Sequence, residues 1–226
     1  VLYYNNNACA AELWRLNHIR LAVAALVLVL SSPAIAHPHS FIDMQTEIQS
    51  QGATLSGFKM SWTMDEITSA DLLYDAGDAP EDAEIWKKLA AEVMANVLGQ
   101  HYFSELYQNG KPLKFENRPS EYRLYREGNK VRLVFVLPLA HPAALNDGSV
   151  TLSTFDPTYY VDMAYPDKNS ITLPDSLKGQ CETRLMTPNP NASLKSYALS
   201  LDKEDSPGED EDLGQQFAQK VTLECR

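Results

Sequence analysis

Phe58, Met60, Trp62 and Met64 occupy every second position of residues 54–64, with Lys59, Ser61 and Thr63 between them. Strict alternation puts four large apolar side chains on one face of a strand and leaves the other face to water. A chain holding such a strand must pack one face of a sheet against a second layer. Residues 41–49 carry Phe41, Met44 and Ile48 with partial alternation, and Ser50-Gln51-Gly52 joins the two runs as a hairpin.

The next pattern is helical. Ile85, Leu89, Val93 and Val97 recur every four residues, with Trp86, Ala90 and Met94 alongside. This predicts one buried stripe on a helix over about 81–98. Asp78 can cap it, Pro80 suits its first turn, Glu81 holds the capping-box position and Gly99 ends it. A shorter helix is expected at about 65–74, started by Asp65.

From Tyr102 the pattern returns to short strands. Asn109-Gly110 marks a tight hairpin between 102–108 and 112–116, and Gly128-Asn129 marks another between 121–126 and 131–139. Further strands are expected at 150–155, 159–164, 171–173 and 182–186. Residues 187–212 are rich in Pro, Asn, Ser and acids and read as a mobile acidic loop. A short helix at about 211–219 and a strand at 220–225 follow. The expected class is α+β: an antiparallel, sandwich-like sheet domain with one main inserted helix.

The amino-terminal segment reads as an export signal. Arg15, His18 and Arg20 are basic, Leu21–Leu30 is apolar, and Ala34-Ile35-Ala36 supplies an A-x-A cleavage motif. The apolar run is about half the ~20 residues needed to span a bilayer. Residues 1–36 are therefore expected to be removed, leaving 37–226 as one periplasmic domain with no membrane insertion of its own. The whole chain has a net charge of −11, and loss of Arg15, Arg20 and Glu12 leaves −12. Such a surface disfavours nucleic acid and anionic membranes. Cys181 and Cys225 remain, an even count in an oxidising compartment, and a disulfide between them is predicted.

Cleavage after Ala36 would make His37 the first residue, with Pro38 and His39 behind it. The α-amine, the His37 ring and the His39 ring can then share a divalent ion. Pro38 has no amide hydrogen, so the square-planar amino-terminal copper/nickel site built on deprotonated amides cannot form. Imidazole and amine plus a carboxylate suit zinc, nickel or copper. Strand alternation puts Asp43 on His39's face, making it a candidate ligand. Asp156, in the turn Asp156-Pro157-Thr158, is either a corner that accepts backbone hydrogen bonds or a further ligand. Asp65 and Glu66 are ligands, a general acid/base pair, or a helix cap with its first-turn acid. His101 and His141 are the other histidines that survive cleavage and complete the candidate set. No nucleophile elbow, phosphate loop or HExxH motif is present, so no enzymatic activity is expected.

These pieces resemble a known family. The amino-terminal signature is His37-Pro38-His39-Ser40-Phe41-Ile42-Asp43, followed by Trp62-Thr63-Met64-Asp65-Glu66, where Met64 replaces an aromatic residue. Tyr102-Phe103-Ser104-Glu105-Leu106, Ser153 to Tyr160, and Leu213-Gly214-Gln215-Gln216-Phe217-Ala218 with Cys225 also match. The chain resembles the poorly characterised periplasmic family labelled as the periplasmic component of an uncharacterised ABC-type transport system. Its members are encoded beside nickel/cobalt/zinc-type permeases. The resemblance implies a periplasmic accessory protein of a Gram-negative-type bacterium, delivering zinc (or nickel) to or from an inner-membrane permease. Two other expectations stand beside it: a β-rich permease adaptor without metal, and a copper protein using the amino-terminal histidine as a brace.

Overall fold

The computed structural model of the protein describes residues 38–201 and 212–226. In chain order the strands are β1 (Ser40–Gln51), β2 (Thr54–Met64), β3 (Ser104–Gln108), β4 (Lys111–Leu113), β5 (Glu121–Glu127) and β6 (Lys130–Ala144). They continue with β7 (Val150–Thr154), β8 (Val161–Ala164), β9 (Ile171–Thr172), β10 (Cys181–Met186) and β11 (Lys220–Cys225). The helices are α1 (Glu66–Ala76), α2 (Glu84–Gly99), α3 (Ala192–Ser200) and α4 (Leu213–Phe217). The fold is α+β, as the alternation and the single strong helical stripe imply.

The strands form two sheets. One runs β5-β6-β2-β1-β8, with β9 also on β1, and the other runs β10-β11-β7-β3-β4. The β1–β2 hairpin pairs Met44 with Trp62 and Ile48 with Phe58, which puts its apolar residues on one face. Asn109 and Gly110 both have positive φ between β3 and β4, as a tight hairpin turn requires. Two pairings depart from the antiparallel expectation: β8 and β9 both run parallel to β1. They can do so because the long return through β2 to β7 brings the chain back in the direction of β1.

Both sheets feed one core. Met60, Trp62, Phe135 and Leu137 of the first sheet, Leu106, Leu152 and Leu223 of the second, and Trp86, Leu89 and Met94 of α2 belong to a single buried cluster. Each such side chain contributes roughly 1.5–3 kcal/mol on burial. Trp62 meets Phe135 edge-on at 4.9 Å, and Tyr102 stacks on the same ring at 6.2 Å.

Tyr102 reaches that position through an unusual turn. His101, Tyr102 and Phe103 all have positive φ, a left-handed turn without glycine. Each L-residue there costs about 1–2 kcal/mol. The offset comes from burying Tyr102, whose hydroxyl donates to the Glu116 carbonyl at 3.0 Å, and from the Phe155 N–H donating to the Phe103 carbonyl at 2.8 Å.

Two local expectations need correction. The main helix starts at Glu84 rather than about 81, and Asp78 does not cap it. The Trp86 indole donates to the Ala79 carbonyl, and the Ala83 N–H donates to the Pro80 carbonyl, so residues 79–83 form a turn instead of a first helical turn. The segment 187–212 is not a continuous loop, because α3 lies within it. Asn191 caps α3 by accepting from the Leu194 N–H, and Ala198 and Leu201 are buried with Leu213. Residues 202–211 and the proposed signal segment 1–36 lie outside the described residues. Among those described, no helix is long and apolar enough to cross a membrane.

Cys181 and Cys225 are bonded, directly opposite each other across β10 and β11, at a sequence separation of 44. The bond fits an oxidising compartment. Replacing both cysteines by serine is expected to lower unfolding free energy by about 3–4 kcal/mol in the loop-entropy model, read from urea titration.

Candidate functional site

The first residues of β1 and the first turn of α1 meet at one corner of the six-stranded sheet. The link is Asp65. Its N–H donates to the Phe41 carbonyl, continuing the β1–β2 ladder one residue past Met64. Its carboxylate accepts from the Phe41 N–H at 2.6 Å, the Thr68 N–H at 2.8 Å and the Thr68 hydroxyl at 2.9 Å. Since the Thr68 hydrogen goes to Asp65, the Ser40 hydroxyl donates to Thr68 at 2.6 Å. Partial burial works against the charge of Asp65. The donors of Thr68, Phe41 and Ile67 outweigh it and hold the carboxyl below its ordinary 3.8. Asp65 is thus an N-cap and strand clamp, with both oxygens engaged.

Next to this clamp, His39, Phe41, Asp65, Glu66, Ile67 and Lys130 line an open cavity of about 300 Å³. The His39 N–H donates to the Tyr160 carbonyl at 2.9 Å, and its ring lies 4.7 Å from the Tyr160 ring. The parallel β1–β8 pairing therefore fixes His39 in the lining of the cavity. Glu66 is exposed and, among the described residues, makes no side-chain hydrogen bond and no ion pair within 4.0 Å. Of the two neighbouring acids, Glu66 is the one with a carboxylate to spare.

The other expected ligands sit elsewhere. Asp43 shares the outer face with Phe41, as alternation requires, but it is exposed and lines no part of this cavity. His101 is exposed on the left-handed turn that leads into β3. His141 lies 11 residues along β6 from Lys130, about 35 Å at the rise of an extended strand. Neither reaches the cavity that His39 lines. His37 lies outside the described residues. Among the described residues no group of three or more His, Cys, Asp or Glu side chains is placed to hold a metal ion.

Asp156 is buried and structural. One oxygen accepts from the Thr158 N–H and hydroxyl at 3.0 and 2.9 Å, and the other from the Val161 N–H at 3.0 Å. This turn also receives α4. The Gly214 N–H donates to the Pro157 carbonyl, and a Cβ at Gly214 would sit 1.8 Å from the Asp156 carbonyl oxygen. Only glycine lets the helix approach so closely. Tyr159, at positive φ, stacks on Phe217 at 4.1 Å. Burial and then the nearby Asp162 push its hydroxyl up to about 12, and burial raises Asp162 itself. The turn thus positions Tyr160, and through it His39.

That a tyrosine of the Asp156-Pro157-Thr158 turn reaches the histidine end is an expectation the Tyr160 contact fits, whereas Lys130 was not foreseen as a neighbour of His39. The doubled tyrosine after Asp-Pro-Thr was a visible signal; Lys130 carried none, because its placement depends on the β2–β6 register.

The chain belongs to the family described as protein of unknown function, DUF1007, whose model matches residues 22–225. It is similar to an uncharacterized protein of Haemophilus influenzae, 41% identical over 202 residues, covering 88% of this chain and 96% of that protein.

Asp156→Ala is expected to cost about 2–3 kcal/mol, since it removes a buried acceptor that three part-buried donors share; thermal and urea unfolding would show it. Asp65→Ala should cost about 2 kcal/mol near neutral pH. Because the folded pKa is depressed, that contribution is full above the unfolded value and is lost as pH falls through the folded one. The difference between wild type and Asp65→Ala should therefore shrink on acidification below 3.8, measured by urea titration at stepped pH.

Proposed function

We propose that this DUF1007 chain is a periplasmic metal-binding accessory protein that passes zinc, or nickel, to or from an inner-membrane permease. The observation that carries the reading is the shared cavity of His39 and the uncommitted Glu66 carboxylate, beginning two residues after His37. In this reading the His39 imidazole and the Glu66 carboxylate would be two of the donors. His37, with its amine after cleavage behind Ala36, would supply the remainder. Borderline nitrogen donors with one carboxylate suit zinc and nickel better than calcium or magnesium. An open, few-ligand site also suits a protein that must release its ion. The disulfide and the acidic surface fit an exported protein that handles cations.

A metal-free adaptor is the second reading, and a specific observation favours it. Ile67 and Tyr74 are 83% and 87% exposed on α1, and Phe41, which lines the cavity with Ile67, is 51% exposed. Apolar side chains so open to water mark contact surfaces when they cluster.

Zinc titration of protein processed to begin at His37 separates the two. Metal binding predicts one site that weakens tenfold or more in His39→Ala and in Glu66→Gln, with no change in an Asp43→Asn control. Affinity should also fall below about pH 6, because coordination needs neutral imidazoles. Zinc uptake no greater than that of a His37→Ala/His39→Ala variant would leave the adaptor reading.

A further inference from the structure

On the face of the six-stranded sheet turned away from the core, Lys59, Arg123 and Arg132 line one cavity together, although the chain carries a net charge of −11. The register sets three rows across β2, β6 and β5: Thr63–Arg132–Tyr125, Ser61–Val134–Arg123 and Lys59–Val136–Glu121. Residues paired across strands share a face, so these side chains project together. They enclose an open cavity of about 520 Å³, with Val134 in the middle row and Lys59, Arg123 and Arg132 around it.

A solvated sheet face would pair these charges with its own acids, and here they are largely unspent. Among the described residues neither Lys59 nor Arg123 has a carboxylate within 4.0 Å, although Glu47 is the cross-strand neighbour of Lys59. Arg132 has one ion pair, Nη1 to Glu127 at 3.4 Å, at the far side of its fork. Among the described residues its buried Nε has no hydrogen-bond partner. A buried N–H without an acceptor is costly, and in folded proteins a ligand or water normally answers it. The Arg123 guanidinium lies 6.0 Å from the centre of the Tyr125 ring, which holds it over the cavity.

The geometry points to a binding site for a small organic anion bearing two or three carboxylates. Planar guanidinium forks take carboxylates in bidentate fashion, and Lys59 and the Ser61 hydroxyl can take another oxygen. The Val134 floor and Tyr125 wall suit a carbon skeleton and offer nothing to a fully hydrated inorganic anion. The volume lies in the range of small-molecule sites. Glu121 at the rim excludes a long, highly charged polyanion by like-charge repulsion. This site shares no lining residue with the His39 cavity, and the inference stands independently of metal binding.

Calorimetric titration of the full chain with tricarballylate, at low salt and with a chelator present, tests it. The expected result is saturable one-to-one binding. Arg123→Gln and Lys59→Gln should each weaken it about tenfold, the worth of one charge-assisted hydrogen bond. His39→Ala should leave it unchanged. Arg123 is exposed, so its variant keeps the fold, and a thermal melt of each variant confirms this. Absence of saturable binding overturns the inference. Equal affinity in Arg123→Gln and Lys59→Gln, or equal affinity of wild type for inorganic phosphate, overturns it too.

Discussion

The Asp65 carboxylate is the constraint on which the amino-terminal corner rests. It caps α1, completes the β1–β2 ladder at Phe41 and, through Thr68, takes in the Ser40 hydroxyl. One ionised group thus fixes the angle between a strand and the helix that follows its partner. Charge-assisted hydrogen bonds to backbone N–H groups are stronger and more directional than neutral ones, so the corner is rigid. That rigidity is what gives His39, Phe41, Glu66 and Ile67 a common cavity. The neighbouring acids divide the work: Asp65 is consumed by structure, and Glu66, one residue on, is left to face water.

Asp156 does the same at the other side of His39. Its three donors shape a turn that offers Pro157 to α4, Tyr159 to Phe217, and Tyr160 to the histidine ring. Two buried or half-buried carboxylates therefore frame the candidate site without belonging to it. Conspicuous acids near a histidine are poor ligand candidates when backbone donors already occupy their oxygens. The Gly214 contact shows how tightly this frame is built, since no side chain fits there.

What could be read from the sequence was local. The Phe58–Met64 alternation, the Asn109-Gly110 turn and the Ile85–Val97 stripe each encode their element in a few residues, and each element formed. The shared face of Phe41 and Asp43 also followed from alternation alone. Other features depend on distant partners. Nothing near β1 announces that β8 and β9 will lie parallel to it, or that Lys130 will line the His39 cavity. Helix α3 was hidden by composition, because its support comes from Leu213 rather than from its own weak stripe. Asp78 had the right spacing for a cap, but the Trp86 indole claimed the Ala79 carbonyl and moved the helix start. The left-handed run at His101–Phe103 has no sequence marker, as none of its residues is glycine.

The parallel pairing of β1 has a consequence for how the chain assembles. β1 and β2 can zip together early, since they are joined by a short turn. The opposite edge of β1 stays open until Val161–Ala164 and Ile171–Thr172 arrive, more than a hundred residues later. Non-local pairings of this kind form slowly and leave an unpaired strand edge in the interval. During synthesis, β1 is the segment most open to mispairing with another chain, and the one that a holding chaperone has most reason to cover.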